Sequence, residues 1–354
     1  MPAERRLECI VWLTTSRCTL ACSHCYAWLY RGEGDLPTRE SLRLIEEASS
    51  LGVEEIHFTG GEPLLRPDLF ELLAESQRLG VEPSLFTNLT LLNEGSLKRI
   101  VDLRVPVFTS MDGHCREAHE SLRGPGSWAK LVEGIEALVR EGVRVHVNVT
   151  VTETNWRYVG RIIGLAAELG ASSVSIIPAM RAGRALALRT YVSPDHFSKA
   201  LVYAAEAGEE VGMVVSVWCA PFAKLVVDSR WIEASSCKDA GIMDVTPSGR
   251  VVACDVTNYT VAHVVDHGVA GSWRRLNEDP LVRRALGRVA REPCASCKLG
   301  ARCRGGCYAR AWLSFNDPGL PDPLCPAVES AELGLGEALA PRGPASGLTA
   351  GLRQ

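Results

Sequence analysis

The feature that most constrains this chain is a regular alternation of short apolar, β-branched runs with helical patterns from Leu7 to Cys219. Six strand–helix units follow one another, from the run ECIVWLT to the run SSVSIIPA. Because strands that alternate with helices of this length form parallel sheets with right-handed crossovers, we expect an α/β fold. Six units predict a partial (β/α)6 TIM-like barrel, in which ligands bind at the carboxyl ends of the strands.

The alternation weakens after residue 219, which predicts a domain boundary there. We expect the partial barrel over residues 1–219 and a small cysteine-rich domain over residues 220–330, with IMDVTPSGRVVAC as a β-hairpin that turns at Ser248-Gly249. The segment MRAGRALALRT, after the sixth strand, is predicted to be a loop. The Gly/Ala/Pro-rich residues 331–354 are predicted to form a flexible tail.

Composition excludes several classes of function. The net charge of −4 gives no reason to expect nucleic acid, and no Lys/Arg block indicates a membrane surface. No signal peptide and no apolar run of transmembrane length are visible, so we predict a cytoplasmic protein. Only about ten residues precede the first strand, so we expect no N-terminal domain that would recognise a leader peptide.

The chain has 13 cysteines, an odd number that complete disulfide pairing cannot explain. Ten of them fall into two groups near opposite ends of the chain. Clustered cysteines in an intracellular protein indicate metal ligands.

The first group is the stretch CTLACSHCY, in which Cys18, Cys22 and Cys25 follow the first strand directly. Three thiols are compatible with a zinc site whose fourth ligand is His24 or a distant residue. They are also typical of a [4Fe–4S] cluster with one iron open to another ligand, the interpretation that the spacing favours. The spacing alone leaves both interpretations open.

A second motif, GGEP, lies at the end of the second strand. Gly60 and Gly61 let the backbone approach a ligand closely, and the Glu62 carboxylate can accept hydrogen bonds from an amine. Alone, the motif is also compatible with a helix entry at Pro63.

Together, CxxxCxxC and GGEP resemble the radical S-adenosylmethionine (SAM) enzymes. The resemblance implies that Cys18, Cys22 and Cys25 hold a [4Fe–4S] cluster whose open iron is chelated by SAM. Reduced ferredoxin or flavodoxin would supply the electron that cleaves SAM to a 5′-deoxyadenosyl radical.

The resemblance also implies contacts to SAM. Glu62 and its two glycines match the motif that receives the amino group, and Ser110 and Asp112 match the ribose- and carboxylate-binding positions. The residues implied to contact SAM are His24, Tyr26, Gly60, Gly61, Glu62, Ser110, Asp112, Arg123 and Asn148. In this family a glycine often follows Thr-Asn after the third strand, whereas this chain has Leu89.

The second group of cysteines exceeds one zinc site. Its seven positions resemble the SPASM extension of radical SAM enzymes, which carries up to two auxiliary [4Fe–4S] clusters. By that resemblance Cys294, Cys297, Cys303 and Cys325 ligate one cluster. The inner cluster has three obvious ligands, Cys237, Cys254 and Cys307. Met243 stands where some relatives have a fourth cysteine, so the fourth ligand is Cys219, a substrate, or none.

The stretch CRGGCYARAWLSFNDPGLPDPLC resembles the tail of radical SAM proteins that remodel haem and haem d1-type tetrapyrroles. We therefore expect an enzyme that modifies a cofactor precursor. The alternatives are a maturase of peptides or proteins, related to peptide-crosslinking enzymes or sulfatase maturases, and an iron–sulfur electron carrier or redox sensor. Arg181 and Arg184 meet substrate carboxylates or face solvent.

Overall fold

The fold was obtained as a computed structural model that describes residues 5–328. The strands of this part of the chain are β1 (Cys9–Thr15), β2 (Glu55–Gly60), β3 (Glu82–Phe86), β4 (Val107–Ser110), β5 (Val145–Val151), β6 (Ser173–Pro178), β7 (Val215–Val217), β8 (Ile232–Ala234), β9 (Ile242–Val245), β10 (Arg250–Val252) and β11 (Thr260–His263).

The helices of the same part of the chain lie between and after these strands. They are α1 (Thr38–Ser50), α2 (Leu69–Arg78), α3 (Glu94–Asp102), α4 (Arg116–Arg123), α5 (Ser127–Arg140), α6 (Val159–Glu168), α7 (Gly183–Leu188), α8 (Pro194–Val211), α9 (Val264–Glu278), α10 (Pro280–Leu286), α11 (Gly300–Cys303) and α12 (Tyr308–Phe315). No described helix is long and apolar enough to cross a membrane.

All described strands belong to one sheet, in the order β11-β10-β9-β1-β2-β3-β4-β5-β6-β7-β8. Neighbouring strands from β1 to β8 are parallel. Strand β10 pairs antiparallel with β9 on one side and with β11 on the other. Because β8 and β11 lie at opposite ends of this order, the sheet is not closed. The predicted α/β partial barrel is confirmed, and β7 and β8 extend its sheet beyond the six strand–helix units.

Alternate residues of the strands face different surroundings. Ile10 and Trp12 of β1 and Ile56 and Phe58 of β2 are fully buried in the main hydrophobic core, where they pack with residues of α1 and α2. The intervening residues Val11 of β1 and His57 of β2 lie on the opposite, concave face and are only partly buried. The period of two therefore separates a helix-covered face from an open one.

The predicted hairpin is confirmed as β9 and β10. The Gly249 amide donates to the Thr246 carbonyl oxygen (3.0 Å), and Gly249 has a φ of +91°, which favours glycine at this turn. Strand β9 pairs parallel with β1, so the hairpin continues the sheet of the barrel. The boundary after residue 219 stays a prediction, and the core runs across it, since it includes Val245 and Val251.

The predicted loop after the sixth strand is wrong in part, because residues 183–188 form α7. The sequence of α7 is GRALAL, and Ala, Leu and Arg are strong helix formers that outweigh the single leading glycine. The predicted tail, residues 331–354, lies outside the described residues.

Candidate active site

The three cysteines of the first group lie on one loop, residues 16–26, at the carboxyl end of β1. Its neighbours fix the backbone of this loop. The Ser23 amide donates to the Leu122 carbonyl oxygen at the end of α4 (2.8 Å). The Ser23 carbonyl oxygen accepts from the Thr190 hydroxyl (3.1 Å). We call residues 16–26 the cluster loop.

Helix α7 contacts the cluster loop from the other side. The Arg184 amide donates to the Cys25 carbonyl oxygen (3.0 Å), and its guanidinium donates to the Cys22 carbonyl oxygen (3.1 Å). A Cβ on Gly183 would lie 2.5 Å from the Cys25 carbonyl oxygen, so glycine permits this approach. Arg184 therefore positions the cluster loop, whereas Arg181 lies over a neighbouring aromatic ring.

The sulfur atoms of the cluster loop are surrounded by hydrogen-bond donors. The Cys18 sulfur accepts from the Leu20 amide (3.5 Å) and the Asn88 side chain (3.6 Å), and the Arg123 guanidinium points to the Cys22 sulfur (3.9 Å). Burial raises the pKa of Cys25 to about 11 and also raises the pKa values of Cys18 and Cys22. Iron binding must therefore displace protons from these thiols.

The spacing of the three thiols distinguishes the two kinds of metal site. In the described part of the chain, the three sulfur atoms do not all lie within 4.8 Å of one another, and His24 forms no such group with them. Sulfur ligands of tetrahedral zinc lie about 3.8 Å apart, since each is about 2.3 Å from the metal. The residues fit a larger, cuboidal cluster better than a single zinc ion.

The two glycines of the GGEP motif let the end of β2 pack against the cluster loop. The Gly61 amide donates to the Thr15 carbonyl oxygen (2.8 Å), and the Glu62 amide donates to the Arg17 carbonyl oxygen (2.8 Å). A Cβ on Gly61 would lie 2.1 Å from the Arg17 oxygen, and one on Gly60 would lie 2.7 Å from the Thr15 oxygen. Side chains at either position would push the cluster loop away.

The Glu62 carboxylate is fully buried. It accepts hydrogen bonds from the Leu64 amide (3.1 Å), the Thr87 hydroxyl (2.7 Å) and the Asn88 amide (2.8 Å). A carboxylate has about four acceptor positions, so one stays open for a further donor such as an amine. Burial raises the pKa of Glu62 to about 6, against the lowering effect of its three donors.

Asp112 occupies the centre of a second buried network. Its carboxylate pairs with Arg123, accepts from the Thr150 amide (2.7 Å) and lies 3.2 Å from the His24 imidazole. Burial alone would raise the pKa of Asp112, but Arg123 holds it below its usual range. Burial lowers the pKa of His24 to about 4, so this imidazole is neutral. Asp112, Arg123 and His24 thus bind one another beneath the cluster loop.

Ser110 and Asn148 lie opposite each other in the register of β4 and β5. The Asn148 side-chain oxygen is buried and has no hydrogen-bond partner in the described structure. An unpaired buried amide oxygen carries a free-energy cost, which a bound donor would remove. These two residues therefore face the mouth of the barrel with unused hydrogen-bonding capacity.

Below Ser110 and Asn148, the concave face of the sheet is lined by a row of rings. Neighbouring rings of the row lie 4.4 to 5.5 Å apart between centroids. Four of the five residues are partly exposed, and His146 is buried. We call this row the aromatic floor; its residues are His57, Phe86, Phe108, His146 and Trp218. Two residues along a strand span about 6.6 Å, which separates the floor from the polar strand ends.

The cysteines of the second group lie in two places. Cys294, Cys297, Cys303 and Cys325 line one small pocket. Cys237, Cys254 and Cys307 lie close enough to influence one another electrostatically, and Cys219 joins them.

Tyr26 connects the cluster loop to this second set. Its hydroxyl donates to the Asp255 carboxylate (2.5 Å), beside Cys254, and the Tyr30 hydroxyl donates to the Asp255 carbonyl oxygen (2.5 Å). The Tyr26 side chain thus faces the auxiliary cysteines.

Comparison with known proteins agrees with this geometry. The family model of the Radical SAM superfamily matches residues 12–166. The AdoMet-dependent heme synthase of Oleidesulfovibrio alaskensis is 29% identical over 343 residues, covering 89% of this chain and 86% of that protein. The PqqA peptide cyclase of Gluconobacter oxydans is 29% identical over 325 residues, covering 88% of each. The solved structure of anSMEcpe with bound AdoMet and the Cp18Cys peptide has a TM-score of 0.70 at 19% identity, covering 90% of this chain and 94% of that chain.

The chain is a radical SAM enzyme. Membership implies a [4Fe–4S] cluster and SAM, which supply a 5′-deoxyadenosyl radical when bound. The enzyme's own residues hold the cluster loop, leave acceptors open at Glu62 and Asn148, and line the floor beneath. The interpretation as an electron carrier or redox sensor is set aside.

Several residues of the site were missed at the level of sequence. Thr87 and Asp255 position Glu62 and Tyr26, respectively. Arg184 was predicted to meet substrate carboxylates or to face solvent, but its guanidinium holds the cluster loop. Asn155 donates to the Asp112 carbonyl oxygen (3.0 Å). Thr87 and Asn155 follow strand ends, a signal that could have identified them.

Proposed function

We propose that the enzyme uses radical SAM chemistry to modify a flat cofactor precursor of the tetrapyrrole type. The observation that carries this proposal is the aromatic floor. A row of neighbouring rings, two pairs of which are stacked, extends across four neighbouring strands and the end of β7. Such a row favours a broad, planar, apolar ligand, because rings bind preferentially to ring faces and edges. Its place below the polar strand ends lets such a ligand lie beside SAM.

The rings themselves support a neutral, rigid surface. Phe86 and Phe108 stack with centroids 4.4 Å apart and an interplanar angle of 15°. His146 stacks on Trp218 at an interplanar angle of 8°, and both of its ring nitrogens contact serine hydroxyls at 2.7 Å. Burial lowers the pKa of His146 to about 4, so the floor carries no charge there.

The residues of the site take proposed roles. Cys18, Cys22 and Cys25 hold the SAM-cleaving cluster, and reduced ferredoxin or flavodoxin donates the electron. Two auxiliary [4Fe–4S] clusters are held by the two sets of cysteines in residues 220–330. The proposed contacts to SAM are His24, Tyr26, Gly60, Gly61, Glu62, Ser110, Asp112, Arg123 and Asn148. Of these, Asp112, Arg123 and Tyr26 act mainly by positioning, since their side chains already bind other residues.

The relatives support a tetrapyrrole substrate by name. One is called an AdoMet-dependent heme synthase, and the alignment spans most of both chains. A peptide substrate is the second candidate, because a PqqA peptide cyclase is equally similar at 29% identity.

The test is a titration of the anaerobic holoenzyme with an iron porphyrin that carries carboxylate side chains, followed by absorbance. Phe108→Ala should weaken binding roughly 30-fold, because losing one stacked ring removes about 2 kcal/mol of contact. Phe70→Ala, on α2 away from the floor, is the matched control and should bind as the wild type does. With reductant and SAM, the mass of the porphyrin should change.

Two results would contradict the proposal. One is the absence of saturable porphyrin binding to the wild type, and the other is equal affinity of Phe108→Ala and Phe70→Ala. If peptides but not porphyrins changed in mass, the second candidate would replace it.

A further inference from the structure

The inner set of auxiliary cysteines contains a fourth thiol. Cys219 lies two residues after β7, and its side chain packs with Cys254 against the small apolar cluster that contains Cys307 and Tyr308. Cys237 also lies near Cys307. Four thiols from four chain segments therefore lie close together.

One buried ion pair positions both Cys219 and Cys307. Arg310 and Asp322 form two hydrogen bonds, of 2.9 and 2.7 Å, and Asp322 is fully buried. The Arg310 guanidinium also donates to the Cys219 carbonyl oxygen. The Asp322 carboxylate accepts from the Cys307 amide (2.8 Å). The Arg310–Asp322 ion pair therefore fixes the backbone positions of Cys219 and Cys307 relative to each other.

The backbone at Cys219 has an uncommon conformation. Its φ is +57°, in the left-handed region that side chains rarely adopt. Such a conformation persists where neighbouring contacts stabilise it, and the hydrogen bond from Arg310 is such a contact here. The conformation turns the chain after Trp218, whose ring belongs to the aromatic floor.

Other potential fourth ligands are occupied elsewhere. Met243 is fully buried in the main hydrophobic core. Asp244 and Asp255 lie near Cys254, but the Asp255 carboxylate accepts from Tyr26, and the Asp244 carboxylate accepts from the Asp255 amide (2.9 Å). A thiol is also the usual protein ligand of an iron–sulfur cluster.

We propose that Cys219 is the fourth protein ligand of the inner auxiliary cluster, which is thereby closed to ligation by substrate. This inference rests on the proposed presence of two auxiliary clusters and is independent of the substrate. Four thiolates complete the coordination of a [4Fe–4S] cluster, whereas three leave one iron open.

The test uses the full-length chain in a background with Cys18→Ala, Cys22→Ala and Cys25→Ala, so that all iron belongs to the auxiliary clusters. Iron per chain and the EPR signal of an oxidised [3Fe–4S] cluster are measured before and after ferricyanide. The background protein should hold about eight iron atoms per chain and resist oxidation, because both clusters are fully ligated. Adding Cys219→Ala should cause loss of about one iron atom on oxidation and produce the [3Fe–4S] signal.

Two controls accompany this variant. Cys115→Ala removes a cysteine outside both sets, and Asp244→Asn removes a competing carboxylate near Cys254; both should resist oxidation as the background does. The proposal is overturned if the background protein itself loses iron, a result that does not depend on whether Cys219→Ala folds. It is also overturned if Asp244→Asn rather than Cys219→Ala yields the signal. About four iron atoms per chain in the background would instead refute the two-cluster proposal beneath it.

Discussion

At the scale of single residues, two buried carboxylates at the strand ends have opposite electrostatics. Asp112 faces Arg123, which keeps it ionised despite complete burial. Glu62 is buried to the same extent but faces only neutral donors, so its pKa rises to about 6. Since an ionised partner offsets desolvation better than neutral hydrogen bonds do, Glu62 is the carboxylate of this pair that titrates near neutrality.

The binding of SAM to the holoenzyme should therefore depend on pH. Above about pH 6 Glu62 is ionised and attracts an ammonium group, and below it affinity should fall about tenfold per pH unit. Equilibrium dialysis between about pH 5 and about pH 8 measures this dependence.

Two variants sharpen that measurement. Glu62→Gln should bind weakly with no such dependence, whereas Glu71→Gln, exposed on α2, should retain the wild-type profile. A flat profile in the wild type would refute the role of the Glu62 charge.

At the scale of elements, the end of β2 and the cluster loop form a single packed unit. The contact depends on Gly60 and Gly61, which leave room for carbonyl groups of the chain after β1. Their place at a strand end could be predicted from sequence, because GGEP follows an apolar run. Their packing against the backbone of another segment could not be predicted, because a glycine in a sequence does not specify which residues it contacts.

Gly61→Ala should displace the cluster loop, because its Cβ would lie 2.1 Å from the Arg17 carbonyl oxygen. We expect reconstituted protein to contain about four fewer iron atoms per chain than the wild type. Gly164→Ala in α6 is the control, since a Cβ there meets nothing within 4 Å. If Gly61→Ala kept the iron content of Gly164→Ala, the packing role of this glycine would be wrong.

Helix α7 illustrates where sequence reasoning failed at this scale. Three arginines and one glycine in MRAGRALALRT favoured a loop, but the helix-forming residues prevailed. The role of Arg184 in holding the cluster loop comes from tertiary contacts across more than half of the barrel, for which the local sequence contains no signal.

At the scale of the whole molecule, the pairing of β9 with β1 brings the two cysteine groups together. Tyr26 and Asp255 are separated by 229 residues in sequence yet are hydrogen-bonded. The six units of the barrel, the hairpin and the cysteine sets were predictable because local periodicity and ligand spacing define them. The juxtaposition of the first cluster loop with the inner auxiliary set was not, because it depends on which sheet edge the hairpin joins.

The central claim is that the three thiols of the cluster loop hold a cluster that cleaves SAM. The most direct measurement is the 5′-deoxyadenosine formed by anaerobically reconstituted protein with dithionite and SAM, compared among the wild type, Cys22→Ala and the control Cys115→Ala. We expect the wild type and Cys115→Ala to form it and Cys22→Ala to form none. Equal amounts from Cys22→Ala and the wild type, or none from the wild type despite a full complement of iron, would contradict the account.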